Sequence, residues 1–239
     1  MNALKSIIES SPRADYLARL VTRRLGQPFN GQHYRQALFE AILDSFHFDA
    51  IIETGTNRGS TTLYMAQRFP GPIYSIESMN NYAEFSRIRL NSYSHVDIRV
   101  NDSVAGLSAL FEEQDFSDKT VFIYLDAHWY DYLPLQDELD LILKSHREVN
   151  TVIMIDDFAV PHDDAYGFDS YQAGTLDYPY IESSLTRESD VFFPSTPASQ
   201  ETGFRQGCAV ISSNRAVASK LVHIPLLQLF EMQPLLYRG

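Results

Sequence analysis

Residues 51–66 read IIETGTNRGSTTLYMA. The apolar pair Ile51-Ile52 runs into the carboxylate of Glu53, glycines follow at 55 and 59, and helix-forming residues begin near Ser60. A strand that stops at Glu53, a tight turn through Gly55 and Gly59, and a helix together make one half of a βα unit. Such a turn brings backbone close to a ligand, because glycine tolerates the positive φ that the turn requires.

Outward from this turn the chain alternates. Apolar runs at 50–53, 73–77, 97–100, 121–126 and 152–156 are separated by helical stretches near 60–69, 80–92, 103–113 and 134–146. The last helix opens with Pro134 and carries Leu135, Leu139, Ile142 and Leu143 on one stripe. Short, nearly all-apolar strands between helices predict a doubly wound α/β fold, its parallel sheet covered on both faces. Runs at 190–194 and 207–212 have no long helix between them, which predicts an antiparallel pair. Residues 1–25 and 33–46 read as helices, giving an N-terminal helical extension over 1–45 before the main domain at 46–239. Residues 157–189 are polar and tyrosine-rich, and within them about 159–185 reads as a lid-like insertion.

The ends of the predicted strands are acidic: Glu53, Glu77, Asp102 just after the third, Asp126, and Asp156-Asp157. In open α/β sheets the carboxyl edge is where ligands bind. Crowded carboxylates repel by roughly 4 kcal/mol per close pair at an effective dielectric near 20, so a cationic ligand is the natural relief. The turn lacks a dinucleotide fingerprint, since Asn57 stands where a second glycine belongs, and Gly59-Ser60 lacks the lysine of a phosphate loop. Glu53 would repel pyrophosphate and suits an ammonium or sulfonium. Glu77, at the end of the second strand, is placed to accept hydrogen bonds from ribose hydroxyls. S-adenosylmethionine has both a ribose and a cationic end.

On these residues the chain resembles the class I S-adenosylmethionine-dependent methyltransferases over about residues 45–212. The resemblance implies a Rossmann-like fold with a mostly parallel, seven-stranded sheet. It implies that Glu53 and the Gly55–Gly59 backbone face the methionine part, with Thr56, Asn57 and Ser60 among the cofactor contacts, Glu77 the ribose, and Asp102-Ser103 the adenine amine; Asp102 also reads as a plain helix N-cap. YLDAHW (124–129) and MIDDF (154–158) look like the macrocin O-methyltransferase and cephalosporin-hydroxylase-like branch, whose Mg²⁺ sits on acids at the fourth and fifth strand ends.

That places a divalent metal, Mg²⁺ first and Mn²⁺ or Ca²⁺ next, on Asp126, Asp156 and Asp157, since hard oxygen ligands without cysteine disfavour zinc. Asp157 would point away if the strand stayed extended, and His128 offers an extra nitrogen ligand. Asp126, His128 and His162 are the candidate catalytic groups, with Asp126 also a candidate cofactor contact. Trp129, Tyr130 and Tyr132 suggest an apolar platform for a small-molecule acceptor. The expected reaction is methyl transfer to a hydroxyl oxygen; the alternatives are a hydroxylase-like or diverged relative, or a cofactor-binding scaffold.

The net charge of −12 argues against a nucleic-acid partner, although residues 1–30 hold five basic against two acidic residues. The single cysteine, Cys208, suits a reducing cytoplasm, and no apolar run suggests a signal peptide or a membrane partner. The N-terminal helices and the apolar tail at 223–237 are the candidate surfaces for a homo-oligomer.

Overall fold

The computed structural model describes residues 11–22, 26–128, 132–146 and 148–231. Five parallel strands form its centre: β1 (Ala50–Thr54), β2 (Ile73–Glu77), β3 (Val96–Val100), β4 (Thr120–Leu125) and β5 (Asn150–Ile155). Two short strands, β6 (Ser170–Tyr171) and β7 (Gly174–Thr175), make a separate hairpin. Then β8 (Val191–Pro194), β9 (Ala209–Ser212) and β10 (Leu227–Leu229) extend the main sheet, in the order β10-β8-β9-β5-β4-β1-β2-β3. β9 is antiparallel to β5, β8 to β9 and β10 to β8.

The parallel core and the antiparallel pair follow the sequence reading. The sheet has eight strands among the described residues rather than seven, because the tail beyond Pro225 contributes a three-residue edge strand instead of only packing on the body. The rest of that tail, 232–239, lies outside the described residues.

Alternation along each strand feeds two cores. Ile51, Phe122 and Tyr124 face one layer, where Phe39 packs on Phe122 with ring centroids 5.3 Å apart. Ile52, Ile123 and Leu125 face the other, with Leu107, Leu110 and Leu139. Helices cover both faces: α1 (Pro12–Thr22), α2 (His33–Ser45), α3 (Ser60–Ala66), α4 (Asn80–Arg89), α5 (Ser103–Glu113), α6 (Leu135–Asp140), α7 (Tyr178–Ile181) and α8 (Arg215–Leu221). α6 continues as a π-helical turn over Leu141–Ser145, so the expected helix at 134–146 changes its winding midway. Among the described residues, no helix is long and apolar enough to cross a membrane.

Two features of this fold shape the site. α2 has no capping side chain of its own. The Glu201 carboxylate replaces it, accepting from Tyr34 N at 3.0 Å and Arg35 N at 3.1 Å, as the free amides of a helix start require. The segment read as a lid is tied down in this state, with Tyr166, Leu176 and Ile181 buried and Ala159 N donating to Leu176 O at 2.8 Å.

Candidate active site

The turn after β1 is fixed by its own backbone. Gly55 has φ 85°, and a Cβ there would lie 2.1 Å from the Asp126 carbonyl oxygen, so only glycine fits. Gly59 (φ 66°) and Asn57 (φ 49°) are also left-handed. Gly55 N donates to Ile76 O at 2.9 Å, Gly59 N to Thr56 O at 2.8 Å, and Thr56 shares a 2.6 Å hydroxyl contact with Ser75.

Each acid at the sheet edge has a distinct setting. Glu53 is 1% exposed and accepts hydrogen bonds from Thr62 and Ser75. Burial pushes its pKa up to about 7 against the pull of those two hydroxyls, and the Glu77 charge adds to the rise. Glu77 accepts from Asn57 N at 2.7 Å and Met79 N at 2.8 Å; burial still raises its pKa. Asp102 caps α5 through Val104 N and Ala105 N, and takes the Tyr132 hydroxyl on its other oxygen. Cap and chamber wall are thus the same residue. Glu138, not foreseen from sequence, is buried behind Ser103 and Thr54, and burial lifts it to about 7 against those hydroxyls.

The metal set is redrawn. Asp156 is 1% exposed and engaged by Arg35, by the Tyr124 hydroxyl at 2.5 Å and by Asn30 Nδ2 at 3.4 Å. It is the counter-ion of a buried guanidinium and is not one of the three residues whose ligand atoms converge. Asp157 has φ 51°, so the chain has left the extended form and its carboxylate swings to the side where Asp126 lies. Asp126, His128 and Asp157 each place one ligand atom within 4.8 Å of the others. His128 Nε2 is 3.6 Å from Asp157 Oδ2, 3.8 Å from Asp169 Oδ2 and 4.0 Å from Asp126 Oδ1.

Burial and the charges of Asp156, Asp157 and Glu53 push Asp126 well above the usual carboxylate range. Burial and the Asp156 charge raise Asp157 too, against His128. Burial disfavours a charged His128, yet Asp157, Asp156 and Asp169 outweigh it and raise its pKa. Among the described residues, His128 Nε2 and Asp157 Oδ1 are buried with no hydrogen-bond partner, and two carboxylates with an imidazole are a fitting donor set for a divalent ion.

His162 lies elsewhere. Its Nε2 is 3.0 Å from the Pro194 carbonyl and its ring meets the edge of Phe193, at the end of β8. It is not brought to the acid cluster. Trp129 and Tyr130 fall outside the described residues, while Tyr132 lines the site.

Two chambers open onto this edge. The first, of about 750 Å³, is lined by Glu77, Asp102, Ser103, Tyr132, His128 and Asp157 among others. The second, of about 550 Å³, is lined on one side by Glu53, Thr56, Ser60 and Thr61 and on the other by Gln27, Gly203 and Phe204. Asn30, Gly55, Asn57 and Asp126 line both, so the chambers meet there. Asn30 and Asp169 were not singled out in the sequence, although Asn30-Gly31 is a turn dipeptide.

No protein-family model matches the sequence, nor does any curated protein. Solved structures do match in fold. An O-methyltransferase from Bacillus cereus in complex with S-adenosylhomocysteine superposes with a TM-score of 0.50 at 14% identity, covering 88% of this chain and 96% of that one. A Klebsiella pneumoniae protein assigned to O-methyl transfer superposes with a TM-score of 0.50 at 18% identity, covering 75% of this chain and 79% of that one. The chain therefore has the Rossmann-like methyltransferase fold.

Proposed function

We propose that the protein is an S-adenosylmethionine-dependent methyltransferase acting on a hydroxyl oxygen of a small molecule, assisted by a divalent metal. One observation carries this reading. A chamber with an acid at the end of β2 and another after β3 meets a second chamber at Asn30 and Asp126, beside a glycine turn with no phosphate-binding lysine. A nucleoside fits the first chamber, its cationic tail reaches through the junction at Asp126 toward Glu53, and an acceptor entering from the second chamber meets that tail there.

When bound, S-adenosylmethionine supplies an electrophilic methyl on a positive sulfur and leaves as S-adenosylhomocysteine. The chain's part is alignment and proton removal. Glu77 holds the ribose hydroxyls and Asp102-Ser103 the adenine edge. Glu53 and Asp126 receive the cationic end, which relieves the repulsion that raises their pKa values. Asp157 Oδ1, buried and without a partner, accepts the hydroxyl proton as the acceptor oxygen bonds to the methyl carbon. Asp126, His128 and Asp157 would hold the metal, whose charge lowers the acceptor's pKa.

The finer placement, in the macrocin O-methyltransferase and cephalosporin-hydroxylase-like branch, rests on YLDAHW and MIDDF, which supply these three residues. A reducing cytoplasm is the proposed setting. Titration calorimetry with S-adenosylhomocysteine tests the core of the reading: micromolar binding is expected, and no binding at millimolar ligand would sink it.

A further inference from the structure

The glycine-turn wall of the second chamber faces the donor's amino-acid end, but the rest of the chamber has features that this end does not need. Residues 26–32 and 201–207 build one of its walls by interlocking. Thr202 Oγ1 donates to Gly31 O at 2.8 Å and accepts from His33 N at 2.9 Å. Gln32 and the Gln206 backbone bond in both directions. A Cβ on Gly203 (φ 63°) would lie 2.2 Å from the Asn30 carbonyl oxygen. Phe29, Asn30 and Arg205 also hold positive φ, an arrangement that persists only where surroundings over-determine it. This wall presents Phe204 at the chamber with 77% of its surface exposed.

Opposite in chemistry is Arg58, within the glycine turn. Its Nε donates to Asp15 Oδ2 at 3.2 Å, and its guanidinium lies 4.7 Å from the Tyr82 ring centroid. Among the described residues nothing is bonded to its two terminal nitrogens. Among the described residues, Arg19, which shares Asp15, is the other cation of this chamber, and no lysine or arginine lines the first. A guanidinium already fixed by a carboxylate and a ring loses little freedom when its fork meets an anion. The chamber's volume of about 550 Å³ lies in the range that holds a whole small molecule, more than the amino-acid end of a donor fills.

We propose that the second chamber receives the acceptor and selects one joining an anionic group, carboxylate or phosphate, to a flat apolar ring, with Arg58 holding the anion and Phe204 the ring. The inference rests on the donor reading above, and its test separates the two. Protein saturated with S-adenosylhomocysteine is titrated with 4-hydroxybenzoate, 4-hydroxyphenyl phosphate and the neutral 4-hydroxybenzamide, as wild type and as Arg58→Gln, Arg58→Lys and Phe204→Ala. At least one anion should bind tenfold or more tighter than the amide. Arg58→Gln should erase that preference and Arg58→Lys keep most of it. Phe204→Ala should weaken every probe threefold or more, and S-adenosylhomocysteine affinity should change less than twofold throughout. Probes that bind without regard to charge, or not at all, overturn the proposal and leave the donor reading standing. A tenfold loss of S-adenosylhomocysteine affinity in Arg58→Gln also overturns it, because the guanidinium would then hold the donor's own carboxylate. Failure of wild type to bind S-adenosylhomocysteine overturns both.

Discussion

Arg35 and Asp156 form an ion pair with side chains only 2% and 1% exposed, joining α2 to the end of β5. Arg35 Nη2 also donates to Gln206 O at 2.7 Å. Breaking one side of such a pair strands a charge in the interior, at a cost of about 3–5 kcal/mol. Arg35→Met should lose stability of that order in urea unfolding, and the double variant Arg35→Met/Asp156→Leu should recover much of it. A single variant as stable as wild type would mean that Asp156 is not held by Arg35.

The acids of the cluster should separate by role. Asp126→Asn, His128→Gln and Asp157→Asn should each lower metal content in elemental analysis and abolish turnover, and chelator should stop turnover reversibly. Asp156→Asn should keep its metal and lose stability instead. Equal metal loss in all four would return Asp156 to the ligand set.

Glu77 should matter to the donor alone. A hydrogen bond to a charged acceptor contributes about 1.5–3 kcal/mol, so Glu77→Ala should weaken S-adenosylhomocysteine binding by about tenfold or more. An unchanged Kd would remove Glu77 from the ribose contact.

Glu53 gives a pH signature. Its folded pKa of about 7 lies above the ordinary value of 4.5, so the folded state holds the proton more tightly than the unfolded chain. Below pH 4.5 both states are protonated and nothing is lost. Between pH 4.5 and 7 the unfolded state ionises first, and stability falls by about 3 kcal/mol. Glu53→Gln, which still offers an acceptor to Thr62 and Ser75, should therefore gain on wild type at pH 8 and match it near pH 4. Parallel stability curves would show that Glu53 ionises normally.

The segment at 159–185 is proposed to order further when both ligands bind. Limited proteolysis of the free protein should cut there first, with S-adenosylhomocysteine and an acceptor analogue protecting it. Equal resistance with and without ligands would make it a fixed part of the fold.

The strands were legible because apolar runs between helices have few other solutions, and Glu53, Glu77 and Asp126 because an acid ending such a run is locally conspicuous. Asp157 was legible as an acid but not in its direction, which depends on one positive φ. Arg35 carried no signal at all: its partner lies 121 residues away, and an arginine in a helix ordinarily reads as solvated. Asp169 hid among tyrosines, and β10 is three residues beyond a proline, shorter than any pattern can show. Phe204 carried no signal either, because its place at the chamber follows from contacts between residues 26–32 and 201–207.

The interlock between residues 26–35 and 201–207 has a kinetic consequence. Its hydrogen bonds span 166 to 174 positions of chain, so the intervening chain must be closed into a loop before any of them forms, and topology of this kind slows folding. On a ribosome the first half of that wall emerges long before the second. The parallel strands can pair while α2 still lacks Glu201 at its start and Arg35 still lacks Gln206. A nascent chain halted before residue 201 would have the glycine turn and the first chamber's acids but not the wall that carries Phe204.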